Sequence, residues 1–487
     1  MRMNKKINLI TSLVFQVATM LSGLILPRII IGTFGSELNG MVSSITQFLS
    51  FISLLEGGLG AVVLAELYKP INEKDDNQIK SILRSCQKFF TKLAFIFVIY
   101  TVVLSIVYGC IFKTDYSFGF VCSLVYILSF TTLVQYLFAI TYKLLLQAQQ
   151  KIYIVNIVSA ATVLINLILS VVLIYVFPSI HLIKLCSAFA FLLQPIVFKI
   201  FVEKKYRNLQ SDDSKSDYAI ANRWDGFAQN LAHFVNLNTD IVVITLFLSL
   251  ADVSVYTVYL LPITALRSII SSMTNSYQSA LGKYYAQGEK ELLKNNFEKF
   301  NRFNISITIA MFGTCLILII PFVSLYTQNI HDANYYQPIF AILITVANMI
   351  FCIREPFRFL VLAAGKFKET NFGAVMEAIL NLALSLILIT RYGLIGVAIG
   401  TLIAVVYRFV YLIVYLKKNV LQKPFRSYLS DVIKTSVLLC INIVIAILMD
   451  FRECTFIQFC ILGFVLFVLE SVISFFLYFK LNTKKVV

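Results

Sequence analysis

The chain has 487 residues, 59% hydrophobic and 14% charged, with a mean hydropathy of +0.84 and a formal net charge of +16. Soluble globular domains are roughly 45–50% apolar and about 25% charged, so a soluble domain is excluded and a polytopic, all-α membrane protein is indicated. The nine cysteines lie mostly inside apolar runs without CxxC spacing, which excludes a disulfide framework or a cysteine metal site.

Apolar runs long enough to cross a bilayer, about 20 residues each, fall at 7–31, 41–66, 89–112, 117–142, 152–177, 180–202, 223–248, 253–280, 302–326, 336–362, 370–390, 393–416, 429–450 and 455–479. That makes about 14 predicted transmembrane helices. The first is too long for a signal-peptide core and lacks a small-residue cleavage site, so it reads as a span. With the N-terminus inside, 34 of the 41 lysines and arginines fall on the inner side. Five fall on the outer side (Arg28, Lys113, Lys184, Arg391, Arg452), and Arg267 and Arg408 lie within spans. This asymmetry predicts an N-in, C-in orientation. It also accounts for most of the positive charge, so nucleic acid is not an expected partner.

Span 1 carries a polar stripe, Asn8, Ser12, Gln16, Thr19 and Gly23. The seventh carries another with the same spacing of four, four, three and four: Asp225, Gln229, His233, Asn236 and Asp240. At about 100° per residue, such a set lies within an arc of roughly 80°. An ionisable face would cost about 2.5–3.5 kcal/mol per charge at mid-bilayer, so it must meet other helices or water.

A longer match recurs at an offset of 215 residues. It pairs Lys151 with Lys366, Asn156 with Asn371, Asn166 with Asn381 and Ser170 with Ser385. Six spans separate equivalent positions, an even number, so the halves form a parallel repeat. The expected organisation is an N-terminal lobe at 1–205, a cytoplasmic linker at 206–222, a C-terminal lobe at 223–418, and spans 13 and 14 with the tail at 419–487. Polar faces on spans 1 and 7, one per half, suggest a cleft between six-helix lobes.

The segment LPRIIIGTFGSELNG, followed by SLLEGGLGAVVLAELYKPINEKDD, resembles the opening of bacterial Wzx-type polysaccharide flippases. Their superfamily includes lipid II flippases of the MurJ type and MATE exporters. The matching elements are Pro27-Arg28, the Gly35 to Gly40 turn, Glu56-Gly57-Gly58 with Gly60, and Leu67-Tyr68-Lys69-Pro70. The resemblance implies a V-shaped, two-lobed transporter in the bacterial cytoplasmic membrane. It also implies alternating access, and a substrate of undecaprenyl-diphosphate-linked oligosaccharide units for surface polysaccharide. Implied partners are membrane lipids and the polymerase and glycosyltransferases of the pathway. Alternatives are a lipid II flippase, a MATE-type exporter, or a membrane polymerase or ligase of the same pathway. No phosphate loop, HExxH or paired-cysteine motif marks an enzyme.

A diphosphate inside the membrane needs cations. Arg267, mid-span on a face with Thr264, Ser271, Asn275 and Gln278, is the leading candidate, set against a salt bridge to Asp240 or Glu56 that only locks packing. Arg28 would serve at the outer side or snorkel to headgroups. Arg354 and Arg358, four apart, would serve at the inner side or anchor there, with Glu355 as internal partner. Arg408, among Tyr407, Tyr411 and Tyr415, reads as an anchor. Gln229 and Asn236 would line the glycan cavity. Asp225, His233, Asp240, Glu56 and Glu377 are candidate proton or sodium carriers, against solvation or packing roles. No cofactor or structural metal is expected.

Overall fold

The computed structural model describes residues 2–56, 59–111, 115–205, 227–421, 426–448 and 454–480. The predicted linker at 206–222 lies outside them, as does Asp225. Among the described residues every regular element is helical. Twelve of the helical stretches are long and apolar enough to cross a membrane. The first, Ile10–Glu56, takes in most of the first predicted span and the first part of the second, and the seventh is represented by the shorter apolar helix Leu231–Phe247. The chain is a multi-pass membrane protein.

It divides into two compact units, Met1–Asn230 and Leu231–Val487. In the first, α1 (Arg2–Ser50) is broken at Gly35, whose φ of 86° and ψ of 169° lie outside the helical region. A residue without Cβ is what such a break requires. A 3₁₀ turn, Phe51–Glu56, leads to α2 (Leu59–Glu73) and α3 (Asp76–Ile111). Then α4 (Phe118–Val134) passes through a π-helical turn, Gln135–Ala139, into α5 (Ile140–Ala148). The unit's last helices are α6 (Ile152–Val176) and α7 (Ile180–Lys205).

The stripe on α1 is used against α6. Asn8 Oδ1 accepts from the backbone N–H of Tyr153 at 3.0 Å, and its amide donates to Gln150 O at 3.1 Å. One turn on, the Asn156 amide donates to Ser12 Oγ at 2.7 Å. Without water, such groups must find partners inside the bundle.

Helix α8 (Phe227–Phe247) runs into the second unit, which continues with α9 (Leu250–Ala286), α10 (Lys290–Tyr326) and α11 (Pro338–Ala363). Then come α12 (Phe367–Tyr392), α13 (Leu394–Leu416), α14 (Arg426–Leu448) and α15 (Phe456–Phe475). Ala232 of α8 packs on Ala374 and Ala378 of α12, the counterpart of α1 on α6. The repeat reaches the backbone: Gln150 before α6 and Gly365 before α12, 215 residues apart, both have left-handed φ, at 59° and 67°.

Helices α12 and α13 pack through small residues. A Cβ on Gly396 would lie 2.4 Å from Leu388 O, and one on Gly400 would lie 2.8 Å from the Ser385 nitrogen. This Gly-x-x-x-Gly spacing lets two membrane helices approach to backbone contact. The approach brings side chains of α12 and α13 together at the site.

Candidate functional site

Two carboxylates and four guanidinium groups gather within the second unit, on helices that read as membrane spans. Glu377 of α12, 6% exposed, receives at Oε1 both Arg354 Nη1 of α11 and the Asn236 amide of α8. Arg408 of α13 places Nε 3.7 Å from Oε2 of the same carboxylate. Arg354 and Arg408 are 2% and 3% exposed. Arg408 also donates to Thr370 O at 3.0 Å and stands 5.4 Å over the Tyr411 ring. It is therefore an interior residue, not the headgroup anchor its tyrosine neighbours suggested. A Cβ at Gly373 would sit 2.5 Å from Arg408 Nη1 and from the Tyr411 ring, so a glycine is needed there for this seat.

Glu355 pairs with Arg358 rather than with Arg354. The fork is bidentate, Nε to Oε1 at 2.9 Å and Nη2 to Oε2 at 2.8 Å. Arg267 of α9 lies half-buried. Its guanidinium stands 4.3 Å from the centre of the Phe351 ring, and Arg354 stands 4.6 Å from the same ring. His233 stacks on Phe351 at 6.1 Å between ring centres. Arg267 donates to Asn348 Oδ1 at 3.0 Å. Among the described residues of this unit no carboxylate is ion-paired with it, so the alternative of a packing salt bridge to Asp240 is absent there.

Asp240 of α8 occupies a separate position, 5% exposed. Its Oδ2 accepts from Tyr256 of α9 at 2.8 Å and from Thr401 of α13 at 3.1 Å, while Oδ1 has no partner. A chain of amides connects the two positions. The Asn381 amide donates to Asn236 Oδ1 at 3.2 Å and, at the weak limit of 3.5 Å, to Thr401 Oγ1. Ser385 donates to Asn381 Oδ1 at 3.4 Å.

Glu56 sits in the first unit, where Tyr136 of the π-helical turn donates to its Oε1 at 2.6 Å. The turn is clasped by Gln87, whose amide donates to Leu137 O at 2.7 Å and whose carbonyl accepts from Thr141 at 2.7 Å. Arg28 is partly exposed on α1, one residue after the in-helix Pro27. Gln278 of α9 is half-buried, and the side chains of Gln229 and Asn275 lie outside the described ones.

The structure thus brings together Arg267, Arg354, Arg358, Glu377, His233 and Asn236, with Asp240 next along the network. Arg28 and Glu56 belong to the first unit. Sequence reading passed over Phe351, Tyr256 and Thr401. Phe351 stands one helical turn before Arg354 and was open to a spacing argument. Tyr256 and Thr401 reach Asp240 from other helices, and no local pattern announces that.

An apolar groove of about 440 Å³ lies between α9, α10 and α15, with Pro262, Leu266, Cys315, Phe322 and Phe459 among its walls.

No protein-family model and no curated protein sequence matches the chain. Solved structures do resemble it. A lipid II flippase MurJ in an inward closed conformation aligns over 95% of this chain and 99% of its own, at 16% identity and a TM-score of 0.71. An inward-facing multidrug resistance MATE family transporter of the MOP superfamily aligns over 85% and 99%, at 16% identity and 0.55. A MOP superfamily transporter from Pyrococcus furiosus aligns over 86% and 97%, at 13% identity and 0.57. The chain has the fold these transporters share.

Proposed function

We propose that this protein flips a lipid-linked oligosaccharide, carried on undecaprenyl diphosphate, from the inner to the outer leaflet of a bacterial cytoplasmic membrane by alternating access. The observation that carries the reading is the charge imbalance among apolar helices: among the described residues, Arg267, Arg354, Arg358 and Arg408 share only Glu355 and Glu377. Leaving guanidinium groups under-neutralised in a low-dielectric setting is costly unless an anion completes the site. A small-cation exporter would need the opposite sign. Arg267, with Asn348 and Phe351 as its neighbours, is free to take phosphate oxygens, and the apolar groove between α9, α10 and α15 suits a hydrocarbon chain. Likeness to a MurJ flippase over nearly the whole chain supports a lipid-linked substrate. The glycosyltransferases and polymerase of a surface polysaccharide pathway are the partners this reading expects.

Asp240, with one oxygen unpartnered, is the candidate carrier of the driving cation or proton. Arg267→Ala should abolish surface polysaccharide while the protein still reaches the membrane; normal polymer in that strain contradicts the phosphate role. Asp240→Asn should slow gradient-driven transport in proteoliposomes, and indifference of wild-type transport to both proton and sodium gradients removes the coupling role. A second reading, export of lipid II itself, is favoured by the higher TM-score of the MurJ structure over the MATE structures. It predicts loss of cell-wall synthesis rather than of surface polysaccharide when the protein is depleted.

A further inference from the structure

Arg354 faces two ways. It shares the Phe351 ring with Arg267 and is ion-paired to Glu377. From Glu377 an uninterrupted line of side chains runs through Asn236, Asn381 and Thr401 to Asp240. From Arg354 onward each member belongs to a different helix from the next: α11, α12, α8, α12, α13, α8.

The direction of each bond in this line is dictated by its ends. A carboxylate can only accept, so Glu377 forces Asn236 to present its Nδ2–H and leaves Oδ1 for Asn381. A cation on Asp240 would draw the lone pairs of Thr401 Oγ1, whose hydrogen can turn to Val397 O, 3.1 Å away. The Asn381 amide, repelled from Thr401, would then bond fully to Asn236 Oδ1. That polarises the Asn236 N–H toward Glu377, and hydrogen bonds in series strengthen one another. A better-stabilised Glu377, still paired to Arg408, holds Arg354 less tightly. Arg354 is then released toward an anion beside Arg267.

We propose that Asn236 is the positioning residue through which a cation at Asp240 tightens binding of the anionic substrate at Arg267 and Arg354. This rests on the reading above that those arginines take a diphosphate and that Asp240 takes the cation. Coupling free energies of this kind correspond to about 5–150-fold in affinity, and each ligand must affect the other by the same factor.

The experiment uses the full chain in lipid nanodiscs, with farnesyl diphosphate as anion probe. Its affinity is titrated with sodium present and with N-methyl-D-glucamine in its place. Wild type should bind the probe about 5-fold tighter or more in sodium. In Asn236→Leu the sodium effect should fall to about one-fold, whatever the variant's affinity without sodium; a merely structural role would shift the affinity in both media and leave that ratio at its wild-type value. Asn381→Ala breaks the line at the next member and should give the same result, and it decides the matter if Asn236→Leu does not fold. A wild-type sodium ratio in either folded variant overturns the proposal. Probe binding that is indifferent to sodium in the wild type overturns it too, while leaving the flippase reading standing. No probe binding to the wild type at all removes both.

Discussion

Glu377 is the residue on which the site turns, because one buried carboxylate answers to Arg354, Arg408 and Asn236 together. Breaking a buried ion pair by removing one partner costs about 3–5 kcal/mol, since the survivor is left charged and uncompensated. Glu377→Ala strands two guanidinium groups, and it should lower the thermal unfolding temperature in detergent far more than Lys366→Ala. That variant leaves only Glu369, whose side chain is 45% exposed and stays in water. Equal losses from the two variants would show that Glu377 is no more central than a peripheral pair. Glu377, Asn381 and Ser385 were legible as one helical face, and Asp240 as part of a stripe. Their partners were not, because Arg354, Tyr256 and Thr401 come from other helices, and helix adjacency is set by packing rather than by local spacing. Arg408 misled for a physical reason: tyrosines beside an arginine near a span end are the usual marks of a membrane interface, whereas here Tyr411 is the floor beneath a buried guanidinium.

Among the elements, the repeat explains most of the architecture. Lys151 and Lys366 hold matching positions at the starts of α6 and α12, each just after a left-handed residue. At Gly365 a Cβ would meet nothing within 4 Å, so the cost of adding one is conformational alone. Left-handed geometry costs an ordinary residue roughly 1–2 kcal/mol. Gly365→Ala should therefore destabilise the protein by about that much, whereas Gln150→Ala, where the cost is already borne, should be near neutral in the same melting assay. The polar stripe on α8 announced its own helix, and of the matched stripe on α1 Asn8 and Ser12 are occupied by Asn156 and the start of α6, whereas Thr19 and Gly23 are exposed. What the sequence could not announce was the approach of α12 to α13. The GVAIG run is visible as a small-residue motif only once Leu388 and Ser385 are seen against it.

For the whole molecule, apolar runs carried the reading far, since a bilayer leaves so few permitted structures. Twelve helices of spanning length and a 17-residue companion fall where runs of hydrophobic residues were read. The N-in, C-in orientation makes a direct prediction: green fluorescent protein fused to the C-terminus should fluoresce, and alkaline phosphatase at the same point should be inactive. The reverse pattern would invert every assignment of inner and outer residues. Function is a matter of the charges those helices hold together, and at the site Arg267, Arg354, Arg358 and Arg408 stand with Glu355 and Glu377. The most direct test is binding of undecaprenyl diphosphate to the purified full-length protein, followed by native mass spectrometry, for the wild type and for Arg267→Ala. Selective binding over phosphatidylethanolamine in the wild type, falling at least about tenfold (about 1.4 kcal/mol) in the variant, is the predicted result. Equal binding by both proteins, or no preference for the diphosphate lipid, would contradict it.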